Sequence, residues 1–318
     1  MEIFEPVREL TNKINSMRPS LDIDKIIIHI ERAFQLFTQG VESGEEQNYT
    51  DVIYRCNQAF EGCSRQAFLV LADKPEEELR KTQAWKIEKY LIDNDVLNER
   101  LLPLFKNYRE KWRNESSHNF KLFFKEEEAY IAILSICSYA YVLLNQIVLK
   151  VSLSDVQGME PTNGNAKSQY TLVEDLSRLT KSFLQEVDLE KYKSGSTVPR
   201  ISEIQFNGLY ASFIQSKMPN ALINVEGLLG SESRYRYDIL VEREEEKVII
   251  ELKSIRFQSQ VTEAAKEQLM NYLSLIEGAK GILFLFDGIA KMNDLRISDF
   301  NIEKNDRKFD IRVFEGIK

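Results

Sequence analysis

Residues 237–253, YDILVEREEEKVIIELK, decide how the C-terminal part of this chain is read. Two short runs rich in Ile, Val and Leu, 236–242 and 247–253, flank the charged tip Arg243-Glu244-Glu245-Glu246, which is the pattern of an antiparallel hairpin. Val248, Ile249, Ile250 and Leu252 make the second run apolar at successive positions, so it is expected to be buried on both faces. Glu251 and Lys253 interrupt that run. Side chains alternate across a strand, so these two share one face and Leu252 takes the other. The hairpin brings Asp238 beside Glu251. Two carboxylates held close repel one another and are costly to bury without a counter-ion, so a divalent cation is a natural resolution. Hard oxygen ligands favour Mg²⁺ or Mn²⁺. Lys253 would then stand next to the metal, able to orient water or to stabilise charge on a phosphate. A Glu-x-Lys triplet taken alone is more often an ordinary strand facing solvent, and the surrounding chain decides between the two readings.

The chain has 318 residues, room for one large or two ordinary domains. Its net charge of -8 and pI near 5.2 argue against a protein coated in basic surface, although positive charge focused locally still permits a nucleic-acid partner. Cys56, Cys63 and Cys137 are too few and too scattered for a disulfide framework or a zinc site, and read as reduced core residues. Residues 1–18 mix charged and apolar side chains and give no leader pattern. The apolar stretch 129–149 contains Asn145 and Gln146 and is expected to be a buried helix, not a membrane span. The expected compartment is cytoplasmic, with no membrane partner.

Upstream of residue 150 the apolar residues recur at helical spacing and strand signals are absent. Helices are expected over 21–44, 49–72, 82–94, 97–113 and 126–150, an all-helical bundle. Within it, 108–123 (YREKWRNESSHNFKLF) stands out: it holds His118, one of two His in the chain, five residues after Arg113. Residues 100–125 carry seven Lys or Arg against two Glu, a local excess of five in an acidic protein. An imidazole can move the proton of a ribose 2′-OH while a guanidinium stabilises charge on the phosphate, the chemistry of metal-independent RNA cleavage.

Arg113-Asn114-Glu115-Ser116-Ser117-His118 resembles the signature of the HEPN domain, an Arg followed by a polar residue and then a His four to six positions on. The stretch 54–68 (YRCNQAFEGCSRQAF) is similar to that family's second helix, and the likeness covers about 21–149. It implies a homodimer with a composite RNA-cleaving site formed by Arg113 and His118, with Asn114 in support. Residues 152–167, with Gly158, Pro161, Gly164 and several Asn and Ser, read as a linker, and a helix over about 171–186 precedes a second break at 192–199. The expected division is a helical domain over 1–151, a linker with a connector helix over 152–200, and a last domain over 201–318.

That last domain is expected to run helix 201–217, strand 221–228, the hairpin, helix 260–275, strand 281–287 (GILFLFD) and an edge strand 309–314. This order, with Asp238 and then Glu251-Leu252-Lys253, resembles the PD-(D/E)XK nuclease superfamily, the restriction-endonuclease-like fold. Tyr237 stands where the Pro that names the motif would be. Gln268 and Tyr272, four apart on one helix face, resemble the Gln-x-x-x-Tyr feature of the RecB-like branch. Glu203 matches the acid that many members carry on the first helix, with Glu226 as a competitor. A first-turn Glu is also simply favourable to the helix dipole.

The resemblances together imply an α + α/β protein: an all-α HEPN-like bundle followed by a central mixed sheet flanked by helices. The implied function is a Mg²⁺- or Mn²⁺-dependent phosphodiesterase acting on nucleic acid, DNA and/or RNA. In it Asp238 and Glu251 bind the metal and Lys253, Gln268, Tyr272 and Glu203 complete the site. A prokaryotic anti-phage defence effector, a homodimer or higher oligomer through the helical domain, and an activating partner protein fit that picture. Two alternatives stand beside it: one module active with the other a sensor or dimer scaffold, or a nucleic-acid-binding protein without catalysis.

Overall fold

The computed structural model describes residues 3–94, 96–97, 102–108, 110, 112, 123–155, 169–195, 198–229, 235–255, 260–304 and 307–317. The chain forms two compact units, Met1–Val151 and Ser152–Lys318.

Among the described residues the first unit is helical throughout: α1 (Glu5–Met17), α2 (Asp24–Ser43), α3 (Glu46–Leu71), α4 (Glu76–Lys81), α5 (Ala84–Asp93), α6 (Leu102–Tyr108) and most of α7 (Glu126–Asp155). Helix α1 has no counterpart among the helices expected from the sequence. Helix α2 ends where Gly44 takes a left-handed φ of 72° and its N–H caps Gly40 O, so α3 starts two residues later and packs back along α2. Phe60, Phe105, Tyr108 and Tyr139 stack at centroid separations of 4.7–5.2 Å in the core. Helix α7 is long and apolar enough to cross a membrane by length and composition. Ala129, Ala132, Ile133, Ile136, Ala140, Leu143, Leu144 and Ile147 on it are nonetheless fully buried within the fold. Arg113, Asn114 and His118 lie outside the described residues.

The second unit is built on one mixed six-stranded sheet in the order β1-β2-β3-β4-β6-β5. Its strands are β1 (Leu222–Val225), β2 (Ile239–Arg243), β3 (Glu246–Ser254), β4 (Lys280–Phe286), β5 (Asp294–Lys304) and β6 (Arg307–Ile317). The β1–β2, β2–β3 and β5–β6 pairs are antiparallel, and β3–β4 and β4–β6 are parallel. Helices α8 (Leu172–Glu186) and α9 (Glu203–Lys217) cover one face, where Phe183, Phe206 and Tyr210 meet Ile250, Leu252, Phe284 and Phe286. Phe206 stacks on Phe286 with centroids 4.0 Å apart. Helix α10 (Gln260–Leu273) covers the other face through Leu269, Tyr272 and Leu273 against Ile249, Leu283 and Ile311. Strand β3 is therefore covered on both sides, as its unbroken apolar run requires.

In this unit the strand order differs from the sequence reading. The strand at 309–314 is not an edge: β6 lies between β4 and β5, and β5 forms the edge. Strand β5 carries no simple strand signal in the sequence, because its apolar residues change parity along its length. Leu295 joins the α8/α9 face, whereas Phe300 and Ile302 join the α10 face, so no simple alternation marks it. The helix expected as a connector within the linker, α8, belongs with the sheet, since Leu172, Leu176, Phe183 and Leu184 are core residues of the second unit. Its start is fixed by a capping box in which Thr171 and Glu174 satisfy each other's backbone N–H.

Candidate active site

The hairpin register pairs Ile239 with Ile250, so the next position outward sets Asp238 opposite Glu251. Asp238 Oδ2 accepts from the backbone N–H of Leu252 at 2.6 Å, which ties the loop before β2 to β3. Glu251 and Lys253 share the α10 face, and Lys253 Nζ lies 2.9 Å from Glu251 Oε1. From α10, Gln268 Nε2 donates to the same oxygen at 2.6 Å and also to the hydroxyl of Tyr272, one turn further on. From the first turn of α9, Glu203 Oε1 lies 3.4 Å from Lys253 Nζ, while its Oε2 accepts from Ser254 N at 3.2 Å. All six residues that the sequence assigned to this unit, Glu203, Asp238, Glu251, Lys253, Gln268 and Tyr272, thus converge at one end of β3.

Two further residues join them. Glu226, just past β1, holds a left-handed backbone with φ 54°. That conformation is locked by Glu226 N donating to Asp238 O at 2.9 Å and by Arg236 Nη1 donating to Glu226 O at 2.9 Å. Asn207 on α9 donates from Nδ2 to Glu226 Oε1 at 3.2 Å and to Asp238 O at 3.4 Å. Asn207 was not among the residues expected from the sequence. Its spacing four residues after Glu203, on the same helix face, is the signal that could have found it.

Acid outweighs base here, with Glu203, Glu226, Asp238 and Glu251 around Lys253. Burial, followed by the charge of Glu251, pushes the Asp238 carboxyl up to about 7. Burial and then Asp238 push Glu226 up to about 7. Burial also raises Glu251, against the pull of Lys253. Burial alone would lower Lys253, but Glu251, Asp238 and Glu203 outweigh it and hold the ammonium above its ordinary value, so Lys253 is a fixed cation at neutral pH.

Acceptor capacity is also in surplus. Glu251 is 1% exposed, and among the described residues its Oε2 has no hydrogen-bond partner. Asn207, likewise 1% exposed, has an Oδ1 with no partner among the described residues. Turning the Asn207 amide over would not help, because Oδ1 would then face two acceptors, Glu226 Oε1 and Asp238 O. Buried oxygens without donors cost about 1–3 kcal/mol each, more when charged. They point to a ligand that supplies protons or positive charge. Among the described residues no three carboxylate, imidazole or thiolate groups close in far enough to enclose a metal ion. What the fold offers is an open carboxylate pair, the arrangement suited to a cation that keeps several of its waters.

Residues 223–297 match the family model of the PD-(D/E)XK nuclease superfamily. The matched span runs from β1 into β5 and contains Glu226, Asp238, Glu251, Lys253, Gln268 and Tyr272. The match is a likeness to that superfamily over this stretch of the second unit. No curated protein matches the chain.

Proposed function

We propose that the second unit is a divalent-metal-dependent phosphodiesterase that hydrolyses nucleic acid, DNA foremost. The observation that carries this reading is the buried Glu251: one oxygen is held by Lys253 and Gln268, and the other has no partner among the described residues beside Asp238. Asp238 and Glu251 would hold Mg²⁺ or Mn²⁺, and the unpartnered Oε2 and the surplus of negative charge fit such a group. When bound, the cation supplies positive charge against the scissile phosphate and the attacking water. Gln268, braced by Tyr272, fixes the Glu251 carboxylate in one orientation. Lys253, set beside Glu251 and Glu203, donates hydrogen bonds and neutralises charge developing on the phosphate oxygens. Glu203 anchors Lys253 from the helix side.

For the first unit, the resemblance of Arg113-Asn114-Glu115-Ser116-Ser117-His118 to the HEPN signature supports dimerisation and metal-independent RNA cleavage, with Arg113 and His118 reacting and Asn114 supporting. Two nucleic-acid-cutting modules on one chain suit a cytoplasmic anti-phage effector, triggered by a partner protein or by foreign nucleic acid. The test is cleavage of DNA and of RNA by the full chain, in Mg²⁺ and in EDTA, with wild type, Lys253→Ala and His118→Ala. Mg²⁺-dependent cleavage lost in Lys253→Ala, together with EDTA-resistant RNA cleavage lost only in His118→Ala, supports both centres. If wild type cuts neither polymer in Mg²⁺, even with candidate activators present, the phosphodiesterase reading is wrong. A strict monomer in solution removes the composite RNA-cleaving site.

A further inference from the structure

Two acids compete for the third acidic position beside Asp238 and Glu251, and the structure separates them. The Glu203 carboxylate is committed on both oxygens, to Lys253 Nζ and to the backbone of Ser254, and its side chain is 42% exposed. Glu226 is held in a different manner. Its left-handed backbone is a conformation that strains any residue with a Cβ. That strain is maintained by hydrogen bonds from and to the very segment that carries Asp238. A buried amide, Asn207, spends its Nδ2 on fixing the Glu226 side chain, and keeps a buried Oδ1 that no described residue satisfies.

From these contacts we infer that Glu226 is the third acidic group of the Asp238–Glu251 centre, positioned by Asn207 and acting through water. Glu203, in this assignment, is an anchor for Lys253. Glu226 and Asn207 Oδ1 accept hydrogen bonds from water held at the centre, which satisfies the amide oxygen that the protein leaves bare. The inference rests on the metal-dependent reading of the site. It adds a residue with a distinct role, since groups beyond the direct ligands commonly tune metal affinity about 10–100-fold.

The experiment is Mn²⁺ binding to the full chain, followed by the loss of the free-ion paramagnetic signal, for wild type, Glu226→Gln, Glu226→Gly, Glu203→Gln and Asp238→Asn. Glycine accepts the left-handed backbone without strain, so Glu226→Gly separates the carboxylate from the turn that carries it. The expected result is an affinity about tenfold weaker in both Glu226 variants, a change of about twofold or less in Glu203→Gln, and no measurable binding in Asp238→Asn. Both Glu226 variants should also remain folded, with Glu226→Gly at least as stable as wild type to heat in EDTA. Wild-type affinity in both Glu226 variants, alongside loss in Asp238→Asn, overturns the role of Glu226 and leaves the metal centre standing. A larger loss in Glu203→Gln than in Glu226→Gln overturns it in favour of Glu203. Absence of Mn²⁺ binding by wild type overturns both this inference and the reading beneath it.

Discussion

Replacing Asp238 with Asn should make the metal-free protein more stable while abolishing the hydrolysis proposed for it. Asp238 is pushed from an ordinary 3.8 up to about 7, chiefly by burial and then by Glu251. The folded state therefore holds the proton more tightly than the unfolded chain does. For a carboxyl raised in this way, the stabilisation from the bound proton is complete below about pH 4. It is lost progressively as pH rises through about 7, at about 1.4 kcal/mol for each pH unit. Over the whole interval from 3.8 to about 7 the loss comes to about 4 kcal/mol above neutrality, as an upper bound. Asn cannot ionise, so Asp238→Asn escapes that loss, while its amide oxygen still accepts from Leu252 N. Allowing about 1 kcal/mol for a weaker, neutral acceptor leaves a gain of about 2–3 kcal/mol at pH 8 and near zero at about pH 4.5. For a unit of this size that is a rise in melting temperature of roughly 5–10 °C. The assay is thermal unfolding in EDTA by far-ultraviolet circular dichroism at both pH values. Both Trp, Trp85 and Trp112, lie in the first unit, so their emission serves as an internal control that should not move. Adding Mg²⁺ should stabilise wild type and leave the variant unchanged. A variant less stable than wild type at pH 8, or one with the same difference at both pH values, would refute the claim that Asp238 is held against its own charge.

Lys253→Met should abolish cleavage and, by leaving buried Glu251 without its cation, drive that carboxyl further up, detectable as a steeper fall in stability as pH rises above the ordinary carboxylate range. Gln268→Ala frees the oxygen of Glu251 that Gln268 fixes, and should weaken Mn²⁺ binding about tenfold with the fold intact, as read by titration and circular dichroism. Phe206→Ala removes a fully buried ring stacked on Phe286, and should destabilise the second unit by about 3–5 kcal/mol in urea with Trp emission of the first unit unaffected.

A feature of this fold is legible in the sequence where it obeys a local period. Glu251 and Lys253 fall on one face of β3 because a strand has period two, and Gln268 and Tyr272 meet because a helix brings residues four apart together; both relations are written in the spacing. Strand β5 violates its period midway, so its DLRISDFNIEK reads as polar and irregular, and β6 was consequently placed at the edge. Helix α8 sits between segments rich in Gly, Ser and Asn, and composition gave no hint that Phe183 packs against Phe206 across it. Asn207 was missed because its contacts with Glu226 and Asp238 span 19 and 31 residues and depend on where β1 ends.

The site also explains why its third acid comes from an unusual backbone. On one face of β3 every second residue is available, and Glu251 and Lys253 already occupy the two outermost useful positions. Another acid on β3 itself would point to the opposite face, into the packed core with Leu252 and Ile250. It has to come from a neighbouring element, and the fold offers two: the first turn of α9 and the chain leaving β1. A helix N-terminus supplies Glu203 with no backbone strain, but there its carboxylate is within reach of Ser254 N and Lys253 Nζ, each of which engages one oxygen. The chain leaving β1 runs antiparallel to Asp238, so a residue placed there starts beside the carboxylate pair, but only if the backbone turns out of the strand at once. A left-handed residue makes that turn, and Asn or Gly would make it more easily than Glu. A Glu in this conformation, with its side chain fixed by a buried Asn, carries a strain that the turn does not need, and a charge at the carboxylate pair is what it adds.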